Sequence, residues 1–156
     1  MVFGIAFSAS AVSGQYRMTR LFMEYMDAND IRYSYKGVDS ESGEEEITVS
    51  WDGENMSTIR LHFFFDEDED ICSIRVWNVI DFDPANLEAV VDLCDQMNHG
   101  YKFLTFYTDR DDNSVTASID AILMDTDDCG KILFEYMYYM VSICDKVYPE
   151  LKPLSR

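Results

Sequence analysis

Asp109, Asp111, Asn113 and Asp120 stand at positions 1, 3, 5 and 12 of the spacing by which a calcium-binding loop presents its oxygen ligands. Three departures count against calcium. Ser114 sits where the sharp turn needs glycine, Asp120 lacks the reach of the bidentate glutamate, and the flanking segments alternate like strands. The stretch reads as a solvated hairpin turn, with Asp120 out along a strand. Asp66-Glu-Asp-Glu-Asp70 reads as a second charged turn, which also discourages edge-to-edge pairing. No metal ligand is assigned.

His62 and His99 are the chain's 2 histidines. His62 alternates outward near Arg60, and His99 closes a helix, where a cation is favoured. Neither has a serine or cysteine nucleophile beside it. No G-x-S-x-G, phosphate-binding P-loop, G-x-G-x-x-G or H-E-x-x-H occurs, so no catalytic residue and no cofactor is assigned. Cys72, Cys94, Cys129 and Cys144 form no C-x-x-C and fall among apolar neighbours. They read as reduced, buried thiols of a cytoplasmic protein.

A different constellation suits binding. Arg60 and Phe64 alternate outward on one strand, Arg75 and Trp77 on the next. Arginine with aromatics on a sheet face is the composition of a protein-binding surface, unless a helix covers that face. The formal net charge is −18, from 30 acidic and 12 basic side chains. Nucleic acid and anionic membranes are therefore repelled over most of the surface.

These residues need elements to hold them. The chain of 156 residues, 47% hydrophobic and 14% aromatic, fits one domain with a real core. Residues 1–13 form an N-terminal arm or short strand; their apolar run and small residues suggest a leader peptide but lack its basic start. Met18, Leu21, Phe22, Tyr25 and Met26 give amphipathic spacing for a first helix over 15–28, capped by Ser13 and ended at Asn29-Asp30. Four strands follow at 31–35, 46–51, 56–65 and 71–80, with a polar loop over 36–45 and an Asp52-Gly53 turn. Asp83-Pro84 starts a second helix to about Asn98, burying Leu87, Val90, Val91, Cys94 and Met97, with Gly100 as its left-handed cap. Strands at 101–108 and 114–123 come next. On the latter, Ala117 and Ala121 suggest a helix lying close. The third helix runs to Tyr148, and residues 149–156 are a proline-bearing tail. The order α-ββββ-α-ββ-α, with antiparallel runs and separate helices, is α+β. No internal repeat occurs, and no run approaches the ~20 apolar residues that span a bilayer.

Several segments in this arrangement resemble the YbjN family, bacterial proteins whose fold is similar to that of type III secretion chaperones. They are Ile31-Arg-Tyr-Ser-Tyr35 after the first helix, Ile47-Thr-Val-Ser-Trp51-Asp-Gly53, Ile74-Arg-Val-Trp77, the helix end Leu93-Cys-Asp-Gln-Met-Asn98, and the hairpin from Lys102-Phe-Leu-Thr-Phe106 to Val115-Thr-Ala-Ser-Ile-Asp120. The resemblance spans about 15–148. It departs in the long loop over 36–45 and the apolar leader. It implies an α+β sandwich, often dimeric, a regulatory label such as sensory transduction, and no catalytic motif to carry over.

The third helix bears on partners. Past Lys131 its polar residues Glu135, Ser142, Asp145 and Lys146 share one side. The remaining arc of roughly 250° is apolar or aromatic, against ~100° for a surface helix. Such a helix should touch two surfaces, its own sheet and a second chain, with Phe134, Tyr138 and Val141 at a homodimer interface. The expected function is a non-enzymatic protein-binding module, chaperone-like or a regulatory adaptor, acting as a small acidic homodimer. The contrasting reading is a small-ligand or metal-binding protein, or an enzyme, that uses the acidic turns.

Overall fold

Ile47, Val49, Ile59, Leu61, Phe63 and Phe65 lie on one side of two paired strands, and all are buried. Strict alternation there leaves one face to pack and one to face outward. The computed structural model describes residues 16–156 apart from Glu69 and Asp125. The arm at 1–13, with the Ser13 cap, lies outside them. The elements are α1 (Arg17–Ala28), β1 (Ser34–Val38), β2 (Glu45–Trp51), β3 (Ile59–Phe65), β4 (Ile71–Asp81), α2 (Leu87–Gly100), β5 (Thr105–Asp109), β6 (Ser114–Ile122) and α3 (Cys129–Leu151). The six strands make one antiparallel sheet in the order β1-β2-β3-β4-β6-β5. The fold is α+β, as the order of patterns implies.

The helices pack on the apolar face. α3 crosses β3, β4 and β6, with α1 along its flank and α2 against β5. Ala117 and Ala121 are fully buried beneath this layer, which explains small residues there. α1 starts without a side-chain cap of its own; the buried Glu45 carboxylate accepts the Tyr16 N–H at 3.1 Å instead. A negative charge at that end suits the helix dipole. Asn98 bonds both ways to the margin strand: it donates to the Phe106 carbonyl at 2.9 Å and accepts the Phe106 N–H at 2.7 Å.

Several boundaries differ from the sequence reading, each for a reason. β1 begins at Ser34 because residues 29–33 are spent leaving α1, with Asp30 at φ 56 and the Ile31 N–H returning to Met26. It runs on to Val38 because Gly37 takes φ 80, which a side chain would resist. Gly100 is not a left-handed cap: it ends α2, and Tyr101 leaves in extended conformation. The positive φ, 67°, falls on Phe103, in a loop that delays β5 to Thr105.

The proline-bearing end is not a loose tail. Pro149 lies inside α3, where it removes the N–H that would bond the Asp145 carbonyl. Asn55 replaces that donor, its Nδ2 lying 3.1 Å from the Asp145 oxygen. The helix therefore continues to Leu151, which is fully buried, and Arg156 bonds back to Asp81. The Asp145 side chain completes the exchange by accepting the N–H groups of Asn55 at 2.8 Å and Met56 at 2.9 Å. This clamp holds the loop before β3, so that strand starts at Ile59.

Burial pushes the Asp145 carboxyl up, but the N–H donors of Met56, Asn55 and Glu54 outweigh it and hold it below the usual range. A lowered pKa in the fold contributes stability that is full above the unfolded value and lost as the pH falls through the folded one. The gap in melting temperature between the native protein and Asp145→Ala should thus be full at neutral pH. It should narrow as the pH drops below the ordinary 3.8. Thermal melts across a pH series check this, and a constant gap would contradict it.

Candidate functional site

The opposite face of the sheet carries no helix among the described residues. From β1 to β4 its side chains are exposed or half-buried, and Trp77 is 45% exposed. The cross-strand register sets Thr48 opposite His62, and His62 opposite Arg75. Trp77 leans on His62, ring centroids 4.3 Å apart, and on Phe64 at 5.6 Å. Arg60 is exposed two residues before His62 on the same face.

Glu46 organises the polar part. It accepts hydrogen bonds from Lys36 Nζ at 2.6 Å, His62 Nδ1 at 2.6 Å and Thr48 Oγ1 at 3.1 Å. Burial pushes its carboxyl up, but these bonds outweigh it and hold it below the usual glutamate range. Thr48, His62 and Glu46 are the residue types of a hydrolytic triad. A triad needs the acid on one imidazole nitrogen and the nucleophile on the other. Here Glu46 takes Nδ1, and the Thr48 hydroxyl, 3.4 Å away, faces that same nitrogen. The set can orient His62 beneath Trp77; it cannot relay a proton from Thr48.

Beside this network a depression of about 540 Å³ opens, lined by Arg32, Lys36, Arg60, His62, Thr48 and Ser50 among others. Arg75 is engaged elsewhere. It donates to Asp120 at 2.8 Å and to the Ile74 and Ile119 carbonyls at 3.0 Å, bracing β4 against β6. Burial raises the Asp120 carboxyl, and the bonds from Arg75 and Ser73 outweigh it and lower it.

The fold is similar to a known one. The crystal structure of YbjN from E. coli, a suggested transcription regulator, matches with a TM-score of 0.54 and 10% identity, over 84% of this chain and 88% of that one. The likeness is one of fold. No protein-family model and no curated protein matches the chain.

The other sequence candidates are scattered. Asp120 pairs with Ser73 on the outer face, six residues into β6 from the turn that holds Asp109 and Asp111. Asp109 spends its carboxylate on the Asp111 N–H at 2.9 Å. Among the described residues no three histidine, cysteine, aspartate or glutamate side chains converge as metal ligands. All four cysteines are buried free thiols, and burial pushes Cys144 to about 12 and Cys94 to about 11. Among the described residues no helix is long and apolar enough to cross a membrane.

The wide apolar arc of α3 is mostly covered within its own subunit. Val141 is 7% exposed in the core, and Phe134 leans on Tyr25 of α1 at 5.7 Å. Val141 packs within the core, and Phe134 is half-buried against that helix. Tyr138 alone of the three stands clear, 59% exposed. The loop after α2 meets the helix too, where the Tyr139 hydroxyl donates to the Lys102 carbonyl at 2.8 Å.

Arg60, Phe64, Arg75 and Trp77 do share one face, as alternation implies. Arg32, Lys36 and the Glu46–His62 pair belong beside them and escape the sequence reading. The signal lies in parity: Arg32, Ser34 and Lys36 alternate toward one side once β1 extends to Val38.

Proposed function

We propose that the chain is a non-enzymatic protein-binding module, regulatory or chaperone-like, that receives a partner on the outer face of its sheet. The observation that carries this is the uncovered cluster of Trp77, Phe64 and His62 with Arg60 exposed beside it. Desolvating an aromatic pocket flanked by arginine is how interface hot spots gain most of their energy. A net charge of −18 disfavours nucleic acid as that partner. The likeness to YbjN, itself linked to regulation by its name, agrees with a regulatory setting for the fold.

Site-specific crosslinking in the native cell tests the reading. A photoreactive side chain at Trp77 should capture a discrete protein, while the same group at the exposed Arg110, in the β5–β6 turn, should not. Identical capture from both positions, or no capture at Trp77, would remove the proposal.

A further inference from the structure

The depression beside Trp77 is unusual for this chain in its charge. Acidic side chains outnumber basic ones 30 to 12 overall, yet Arg32, Lys36 and Arg60 line this one hollow with His62, and no carboxylate lines it. Glu46, which lines the neighbouring concavity, is occupied by Lys36 and His62. Arg32 and Arg60 are exposed, and neither has an ion-pair partner among the described residues. Guanidinium groups left unpaired in so acidic a protein offer planar forks for carboxylate.

Resting on the protein-binding reading above, we propose that the partner reaches this face through a short segment that is acidic over two or three side chains and carries an aromatic or large aliphatic residue about four positions away. The spacing follows from the sheet. Arg32 lies at the β1 edge, and Arg60 stands on β3 beside the Trp77–Phe64 platform of β3 and β4, so the spacing is set by the carboxylate that reaches Arg32. Three strand spacings of about 4.8 Å separate β1 from β4, roughly 14 Å, and an extended chain advances about 3.3 Å per residue. The hydroxyls of Thr48 and Ser50, between the two ends, can bond the segment's backbone.

The charge of the whole body limits how far the anionic stretch extends. At physiological salt, charges separated by more than about 8 Å are largely screened, whereas direct contacts are not. A few carboxylates seated on Arg32 and Arg60 gain their contacts. A polyanion that runs past the hollow meets the acidic loop at Asp39 and Glu44, which lines the neighbouring concavity on the far side of Lys36. That favours a locally acidic peptide over nucleic acid.

Titration of the full-length ¹⁵N-labelled protein with the peptide acetyl-Phe-Ser-Gly-Ser-Asp-Asp-amide tests this. Amide shifts should gather on β1 to β4, around Arg32, Lys36, Arg60 and Trp77. The same peptide with Asn for Asp should bind at least tenfold more weakly, as should the Asp peptide to the Arg32→Ala/Arg60→Ala double variant. That variant's spectrum should otherwise overlay the native one, since both arginines are exposed. A short oligothymidylate should bind more weakly than the acidic peptide. Equal binding of the Asp and Asn peptides, binding of oligothymidylate as tight as the peptide's, shifts centred elsewhere, or no shifts would each overturn the inference. Crosslinking at Trp77 would still report a protein partner in any of these cases, so the two readings fail separately.

Discussion

Phe63→Ala is expected to remove about 3–5 kcal/mol of folding stability. Phe63 is fully buried, its ring 4.7 Å from that of Phe22 on α1, and the register sets it between Ile47 on β2 and Ile74 on β4. The ring joins sheet to helix at a point where neighbours on three elements have no room to collapse. Domains of this kind are stable by roughly 5–15 kcal/mol, so the loss is a large fraction of the total. Urea unfolding should show a lower midpoint with an unchanged slope. The next residue gives the contrast. Phe64 points to the outer face and is half-buried, so Phe64→Ala should cost far less. If the two variants lose similar stability, the inner and outer faces have been assigned wrongly.

Gly130→Ala is expected to destabilise by about 1–3 kcal/mol, although alanine is normally the better helix former. A Cβ at Gly130 would lie 2.6 Å from the Cβ of Tyr25 and 2.7 Å from the Leu21 carbonyl oxygen. Both atoms are fixed to the backbone of α1, so no side-chain rotation relieves the overlap. The helices must part, and the buried Met18, Cys129 and Leu133 would lose packing with them. Lys131→Ala, one residue on and exposed, should leave the melting temperature nearly unchanged. Melts of both variants decide it, and a Gly130→Ala protein as stable as the native one would contradict the close approach.

How far the sequence discloses this fold depends on where each element takes its support. β2, β3 and the later part of β6 follow from alternation, because there one face is buried and a slip by one residue would invert it. Asp83 and Pro84 mark a helical start, but it is a 3₁₀ turn over Pro84–Asn86 that leads into α2 at Leu87; the Asp83 carboxylate accepts the Ala85 N–H at 2.9 Å. The failures lie where distant residues decide. β3 begins three residues late because Asp145, in α3, holds the preceding loop. Pro149 continues a helix because Asn55, far back in the chain, supplies the missing donor. Neither partner is visible in a local window.

The same holds for the candidate site and for α3. Parity alone puts Arg60, Phe64, Arg75 and Trp77 on one face, and they are there. It does not disclose that Arg75 is bound to Asp120, nor that Glu46 gathers Lys36, Thr48 and His62. Ending the first strand at Tyr35 leaves Lys36 in a loop and hides the arginine–lysine side of the hollow. The apolar arc of α3 is read correctly as needing more than a sheet. Which surface meets it is a tertiary fact, and α1 and the loop after α2 supply part of it.

The amide of Asn98 imitates a neighbouring strand where the sheet would otherwise end at β5. Chains that polymerise through their sheets need two exposed margins, one to join and one to be joined. Among the described residues one margin is β5, occupied at Phe106 by this amide, and the other is β1. A strand arriving at β5 would have to displace that amide first, which makes this margin the poorer end for a fibril to extend.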